Sequence, residues 1–321
     1  MIGEHTSETP FLFQLGPEGA ELTGYAGSED PVVFVPEQFE GHPVTGIGER
    51  AFYQHKEIQR IHLPDTIVHI GGYAFAECRF LEQMDLPDKV ASIGDYAFYN
   101  CIRLKRVHFP PGLDQMGYGS FKNDTELTDI HLYTEEGGEN SINTILDDTN
   151  HETTVTFHYP DGTAGRLIFT EFYLDEVPNI EARQFNHLTY GSGSMYRNCL
   201  GAAGMDYRKY DSLFSFAVHM DEPATVCQMA VDRLMYPKNL SAESRDQYLD
   251  YLISRPDVLT YLMDTEQRDA LNLLMKERVF DKEMLDTALD YGQRRGKNEY
   301  VSLLIHYKNR WYPAVEKEYD L

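Results

Sequence analysis

Positive charge is in short supply in this 321-residue sequence: 28 Lys and Arg stand against 52 Asp and Glu, a formal net charge of −24. Neutralising a phosphate backbone needs clustered Lys and Arg, so the balance argues against a nucleic-acid partner. It argues equally against docking on an anionic lipid surface. No stretch approaches ~18 continuous apolar residues, so no transmembrane helix and no membrane association are expected. Cysteine is scarce too, limited to Cys78, Cys101, Cys199 and Cys227. The N-terminus lacks a positively charged region, and the apolar run from Phe11 to Leu15 is too short for a signal peptide. The cysteines therefore read as reduced thiols and the chain as cytoplasmic, with the cell surface as the location if a leader has been removed. No paired-carboxylate, His-Glu-x-x-His, Cys-x-x-Cys or Gly-x-Ser-x-Gly motif is present, so no enzyme, metal site or cofactor is expected.

What the sequence does have is a repeat. Hydrophobic residues make up 42% of the chain, enough to build a core. Residues 44–135 divide into blocks of 23 beginning at Val44, Ile67, Val90 and Leu113. Aligned columns read Ile47, Ile70, Ile93, Met116; then Gly48, Gly71, Gly94, Gly117; then Phe52, Phe75, Phe98, Phe121. Further columns read Ile58, Leu81, Leu104, Leu127 and Ile61, Met84, Val107, Ile130. A fixed period of this length signals a solenoid, in which each block has an apolar face too small to be stable until its neighbours cover it. Alternation around Ile61, Met84, Val107 and Ile130 predicts short strands, and Pro64, Pro87 and Pro110 stop three of them because proline cannot donate to a ladder.

These columns resemble the BspA-like leucine-rich repeats, the Treponema-pallidum-type subfamily. The resemblance covers residues 44–135. It implies an α/β solenoid of 23-residue repeats, with Cys78 and Cys101 in the family's cysteine column and His55 and Asp124 replacing them in the outer blocks. Read as residues, those cysteines are small buried packing groups. The resemblance also implies a cell-surface adhesion role for exported members. Two partial repeats flank the regular ones. Val33–Pro36 and Phe157–Pro160 fit the strand column; Phe11–Leu15 and Glu21–Tyr25 read as a capping β-hairpin, and Asp161-Gly162 as a turn into a terminal strand over Leu167–Tyr173 that closes the solenoid.

From about residue 210 the period becomes helical. Candidate helices run over 210–220, from Pro223 to Tyr236, from the N-cap Ser241 to Ile253, over 257–263, from the N-cap Thr265 to 277, from the N-cap Asp281 to 293, and over 298–307, with Gly296 in the turn between the last two. The stretch from Met284 to Leu289, then Gly296, then Tyr300 to Ile305 resembles a degenerate ankyrin repeat; its turn motif is absent, and a generic helical hairpin stack has the same spacing. The expected organisation is residues 1–175 as the repeat domain, 176–209 as a junction and 210–321 as a helical-hairpin domain.

Two constellations could carry function. On the predicted strands Ile61 and its equivalents face inward, which turns two columns outward. One reads Arg60, Gln83, Arg106, Asp129, Thr156 and the other His62, Asp85, His108, His131, His158. Neighbouring strands lie about 4.8 Å apart, so each column is a ladder. His with carboxylate is metal-ligand chemistry, but a flat ladder is not a tetrahedral cage, and a polar binding face is the expectation. Acidification between about pH 5.5 and 7.5 should charge several of the histidines, with Asp85 favouring the charged forms of His62 and His108. The second constellation is the junction. Gly191, Ser192 and Gly193 with Arg197 could cradle an anion, and Cys199 with His187 could supply a thiol nucleophile. The favoured function is a non-enzymatic protein-interaction scaffold that uses the concave face of the solenoid and a surface of the helical domain. Residues 1–160 carry 9 basic and 26 acidic residues, so the expected protein partner is basic.

Overall fold

The computed structural model describes residues 9–27, 30–179 and 184–313. The chain forms two compact units, Met1–Asp221 and Glu222–Leu321.

The first unit opens with β1 (Phe11–Gly16) and β2 (Gly19–Tyr25), the expected antiparallel hairpin. Short strands then alternate between two walls: β3 (Val32–Phe34), β4 (Gln38–Phe39), β5 (His42–Ile47), β6 (Arg60–His62), β7 (His69–Ile70), β8 (Gln83–Asp85), β9 (Ser92–Ile93), β10 (Arg106–Phe109), β11 (Gln115–Met116) and β12 (Asp129–Tyr133). A short helix, α1 (Asn143–Asp148), precedes β13 (Thr153–His158) and β14 (Ala164–Phe169). One wall, the repeat sheet, runs β14-β13-β12-β10-β8-β6-β3; it is parallel except for β14, which turns back antiparallel on β13 and covers that end of the sheet. The other wall runs β1-β2-β5-β7-β9-β11, with β4 beside β5.

Between the walls lies the core. Ile61, Met84, Val107, Ile130 and Val155 point in from the repeat sheet and are at most 3% exposed. Phe52, Phe75, Phe98 and Phe121 form a continuous stack with ring centroids 5.3, 5.1 and 4.8 Å apart and no measurable exposure. The thiols of Cys78 and Cys101 are buried and donate to the carbonyls of Phe52 and Phe75 at 3.1 and 3.2 Å. The glycine column exists because coils touch there: a Cβ on Gly94 would lie 2.5 Å from the Gly72 amide nitrogen. Two further columns, unmarked by any glycine pattern, hold the left-handed conformation. Arg50, Tyr73 and Tyr96 have φ of 58°, 54° and 55°, and Gln54, Glu77, Asn100 and Asn123 have φ of 62–67°.

The first unit continues through β15 (Tyr173–Asn179), β16 (Gln184–Tyr190), α2 (Gly193–Arg197), β17 (Leu200–Gly201), β18 (Gly204–Met205), α3 (Tyr207–Ser212) and α4 (Phe214–Met220). The boundary therefore falls after residue 221, later than the expected 210. The reason is a set of buried tyrosines. The Tyr210 hydroxyl donates to the Ile168 carbonyl at 2.8 Å and accepts from the Ile168 amide at 3.0 Å. Tyr207 meets the Tyr159 hydroxyl at 2.8 Å, and Tyr159 donates to the buried Glu139 at 2.8 Å.

The second unit holds α5 (Pro223–Met235), α6 (Ala242–Ile253), α7 (Val258–Asp264), α8 (Arg268–Glu277), α9 (Lys282–Arg295) and α10 (Asn298–Trp311). Ser241 and Asp281 cap α6 and α9 as expected, accepting from Ser244 N at 3.1 Å and Met284 N at 2.8 Å. Gly296 ends α9 at φ 69°. Thr265 does not cap α8; it closes α7, and α8 starts after Gln267.

Candidate functional site: the outer face of the repeat sheet

The alternation that buries Ile61 and its equivalents turns the intervening side chains out of the sheet. Strand register brings Arg60, Gln83 and Arg106 into one row and places Asp129 beside Arg106. The second row holds Phe34 beside His62, and Asp85, His108 and His131 side by side.

The last strand is offset from the expected alignment. His131 pairs with Thr156, and His158 pairs with Tyr133. The insertion that contains α1 moves β13 by two residues. A two-residue slip keeps every side chain on its face, so His158 still reaches His131, with Nδ1 of His131 and Nε2 of His158 2.9 Å apart. Tyr133 stacks on His158 at 4.4 Å between centroids.

The middle of the face is held by ion pairs. Asp85 lies 3.0 Å from Nδ1 of His108 and accepts from Gln83 at 2.7 Å. Arg106 donates through Nε to Asp129 at 2.6 Å, and Nε2 of His131 lies 3.3 Å from the other oxygen of Asp129. The rings of His108 and His131 meet edge to face at 4.6 Å. His131 is thus engaged at both nitrogens, by Asp129 and by His158.

His62 belongs to a different cluster from the other histidines. Between β6 and β8 only Arg60 and Gln83 pair, and past them opens a cleft of about 260 Å³ lined by His62, Asp85 and Asp88. His62 instead stacks on Phe34 at 4.5 Å with planes 8° apart, and Phe34 is 66% exposed. Aromatic rings therefore flank the charged centre, Phe34 with His62 at one end and Tyr133 with His158 at the other.

The protonation balance departs from the expected one. Burial lowers the His108 pKa, the neighbouring His131 lowers it further, and Asp85 only partly opposes them. Burial and the nearby His131 and His108 lower the pKa of His158. Burial pushes Asp129 up, but the hydrogen bonds and charges of His131 and Arg106 outweigh it and hold the carboxyl well below its usual range. Among the described residues no group of three His, Cys, Asp or Glu side chains is arranged to hold a metal ion.

At the junction the structure differs from an open anion cradle. The Ser192 hydroxyl is buried, bonded to Asp221 and 2.8 Å from the Thr170 hydroxyl, and the Ser192 amide donates to Asp221 at 3.3 Å. A carboxylate of the fold already occupies the place an anion would take. A Cβ on Gly193 would meet the Thr170 carbonyl, and Gly191 holds φ 82° close to the Glu171 carbonyl, so both glycines serve close backbone packing. Arg197 spends its donors on carbonyls: Nε on Leu146 and Thr149, Nη1 on Thr170 and Gly193, Nη2 on His151, all at 2.7–3.1 Å. Two of those carbonyls end α1, where a cation is favoured. Burial still lowers the Arg197 pKa to about 10. Burial pushes the Cys199 thiol up to about 12, away from the thiolate a nucleophile needs. The side chain of His187 lies outside those described.

The first unit thus contains a repeat solenoid with a side-chain ladder on its repeat sheet. Residues 41–152 match, in six copies, the family described as BspA type Leucine rich repeat region, and that stretch is a BspA-type leucine-rich-repeat region. The match ends before the second unit begins, so it does not extend to the ankyrin likeness expected for residues 284–305. Among solved structures, a leucine-rich repeat protein of T. pallidum is 26% identical, over 40% of this chain and 72% of that one, with a TM-score of 0.35. One from Bacteroides capillosus is 28% identical, over 38% of this chain and 94% of that one, at 0.35. One from Bacteroides ovatus is 19% identical, over 39% and 48%, at 0.29. No curated protein matches the chain. Among the described residues no helix is long and apolar enough to cross a membrane.

Proposed function

We propose that this protein is a non-enzymatic interaction scaffold whose partner protein docks on the outer face of the repeat sheet. The observation that carries the reading is the pair of exposed rings, Phe34 at 66% and Tyr133 at 44% exposure, bracketing a centre already ordered by ion pairs. A few hot-spot residues, among which aromatic side chains and Arg are enriched, carry most of the energy of an interface, and a preordered face loses little entropy on binding. The strands, not loops, hold each side chain, so the face is presented ready-made.

The reading is tested by capture of partners from native lysate on immobilised full-length chain, with each captured protein then purified and its affinity measured. The variant Phe34→Ala/Tyr133→Ala should lose affinity for a captured partner by roughly tenfold or more. Both rings are exposed, so its melting temperature should match that of the unaltered chain. Equal affinity of the two chains would show that the partner docks elsewhere.

A further inference from the structure

The outer face of the repeat sheet does not share the charge of the chain. Within a net charge of −24, the outward strand positions hold Arg60, Arg106 and Arg166 against Asp85 and Asp129. Both carboxylates are committed. Asp85 holds His108 and Gln83, and Asp129 holds Arg106 and His131. A basic partner would have to share them with these groups. Arg60 is the reverse case, and Arg106 is so in part. The Arg60 guanidinium is exposed and makes no hydrogen bond or ion pair among the described residues. Arg106 uses Nε on Asp129, and its terminal nitrogens carry no further bond among the described residues.

The two arginines stand on either side of Gln83 in one row, two strand spacings or about 10 Å apart. They start their strands; Asp65 and Asp88 lie past the C-terminal ends of β6 and β8, at the opposite rim, while exposed Glu82 stands one residue before Gln83 on their own rim. Beside Arg60 in register lies Val32, 40% exposed, and the next outward residue on that strand is Phe34. The strand that carries them is a sheet edge of three residues bracketed by Pro31 and Pro36, which limits pairing through its backbone and leaves recognition to side chains.

We propose that this end of the face, β3 to β10, docks an acidic segment of the partner protein, with carboxylates on Arg60 and Arg106 and an apolar side chain against Val32 and Phe34. The proposal rests on the reading above and names the chemistry of its partner. It replaces the basic partner that the net charge of residues 1–160 suggested. Net charge acts over distance, and at physiological salt it is screened beyond about 8 Å, while contacts at the face act well inside that range. Overall charge thus opposes the approach mildly, and the local arginines decide the contact. Nucleic acid is a poorer fit to the same arginines, because two cations, one of them already paired with Asp129, cannot neutralise a phosphate run in so acidic a chain.

The experiment uses the full-length chain and two fluorescein-labelled synthetic peptides with the same Phe and Leu pattern. One carries Glu at the charged positions and the other Lys. Fluorescence anisotropy should show the Glu peptide binding, weakening as salt is raised, and losing roughly tenfold in affinity on Arg60→Glu and on Phe34→Ala. Preference for the Lys peptide overturns the proposal, as does equal binding of both or unchanged affinity in Arg60→Glu. Failure of both peptides to bind overturns it too, and leaves the scaffold reading to the capture experiment with Phe34→Ala/Tyr133→Ala. Melting curves confirm that each variant remains folded.

Discussion

Asp124 accepts a hydrogen bond from the Cys101 amide at 2.8 Å, and it does so from the position that Cys78 and Cys101 hold in the two preceding coils. Those cysteines donate to the carbonyls of Phe52 and Phe75, each 26 residues earlier. The matching carbonyl for Asp124 is that of Phe98, which already receives the Cys101 amide at 3.0 Å. Asp124 is 2% exposed, and its Oδ2 has no hydrogen-bond partner. A proton on that oxygen makes Asp124 a donor like the thiols it replaces. Burial raises its pKa well above the usual carboxylate value, with the nearby Asp148 adding to the effect.

The first prediction follows from the sign of that shift. A carboxyl whose pKa is raised by folding holds its proton longer in the folded state. Its contribution is fully present below the unfolded pKa of about 3.9 and is lost as pH rises through the folded value. Asp124→Asn keeps the shape and a donor but cannot ionise. Unfolding free energies measured by urea titration should favour Asp124→Asn by about 1 kcal/mol or more on the alkaline side. A parallel pH dependence in both chains would show that Asp124 is ionised throughout.

Phe98 lies between Phe75 and Phe121 in the buried stack. Phe98→Ala should cost about 3–5 kcal/mol, from lost burial and the cavity left behind. The same chemical denaturation measures it, and a loss below about 1 kcal/mol would mean that the coil collapses to refill the space.

Arg197 ties the end of α1 to residues before β13, after β14 and at the start of α2 through five carbonyls. Arg197→Met fills much of the volume but strands those acceptors. The loss should be about 3 kcal/mol or more, since each buried unmade bond costs on the order of 1–3 kcal/mol and some will find water. Arg197→Lys should recover only part of it, because one ammonium cannot reproduce the planar fork. Thermal melts of both variants give the comparison.

His108 and His158 have pKa values depressed by burial and by the other histidines of the cluster. Facing them are Asp85, Asp129, His131 and Arg106, with Tyr133 stacked on His158. A histidine depressed by folding stabilises the neutral fold above its unfolded pKa of about 6.5, and that contribution is lost as pH falls through the folded value. Their titration should therefore fall below the ordinary histidine value of about 6.5. NMR titration of the imidazole C–H signals will measure this. Midpoints above about 6.5 for both would show that the carboxylates, rather than burial, govern the face.

A chain ended after Asp221 should keep the sheet signal in circular dichroism and melt cooperatively, because the first unit then retains Tyr207 and Tyr210. A chain ended near Asp175 loses both anchors and should melt at a lower temperature. Equal melting of the two would assign α3 and α4 no part in closing the solenoid.

The sequence by itself determined the solenoid. A 23-residue period, a glycine where coils touch and a phenylalanine in every core layer admit few other structures, because each is a local demand repeated in register. Alternation alone turned His62, Asp85, His108, His131 and Arg60 out of the sheet, and capping chemistry placed α6 and α9. What only the tertiary structure decided depends on contacts between distant residues. The two-residue offset of β13 is set by an insertion whose packing no period encodes. His62 leaves Asp85 for Phe34 because the sheet opens between β6 and β8. The junction glycines and Arg197 look like an anion site in sequence, where donors are visible and acceptors are not. Carbonyls from residues 146 to 193 and the carboxylate of Asp221 fill those donors only when the chain folds. Net charge likewise suggested a basic partner from composition alone, which counts every carboxylate, whereas only folding shows which ones are already paired.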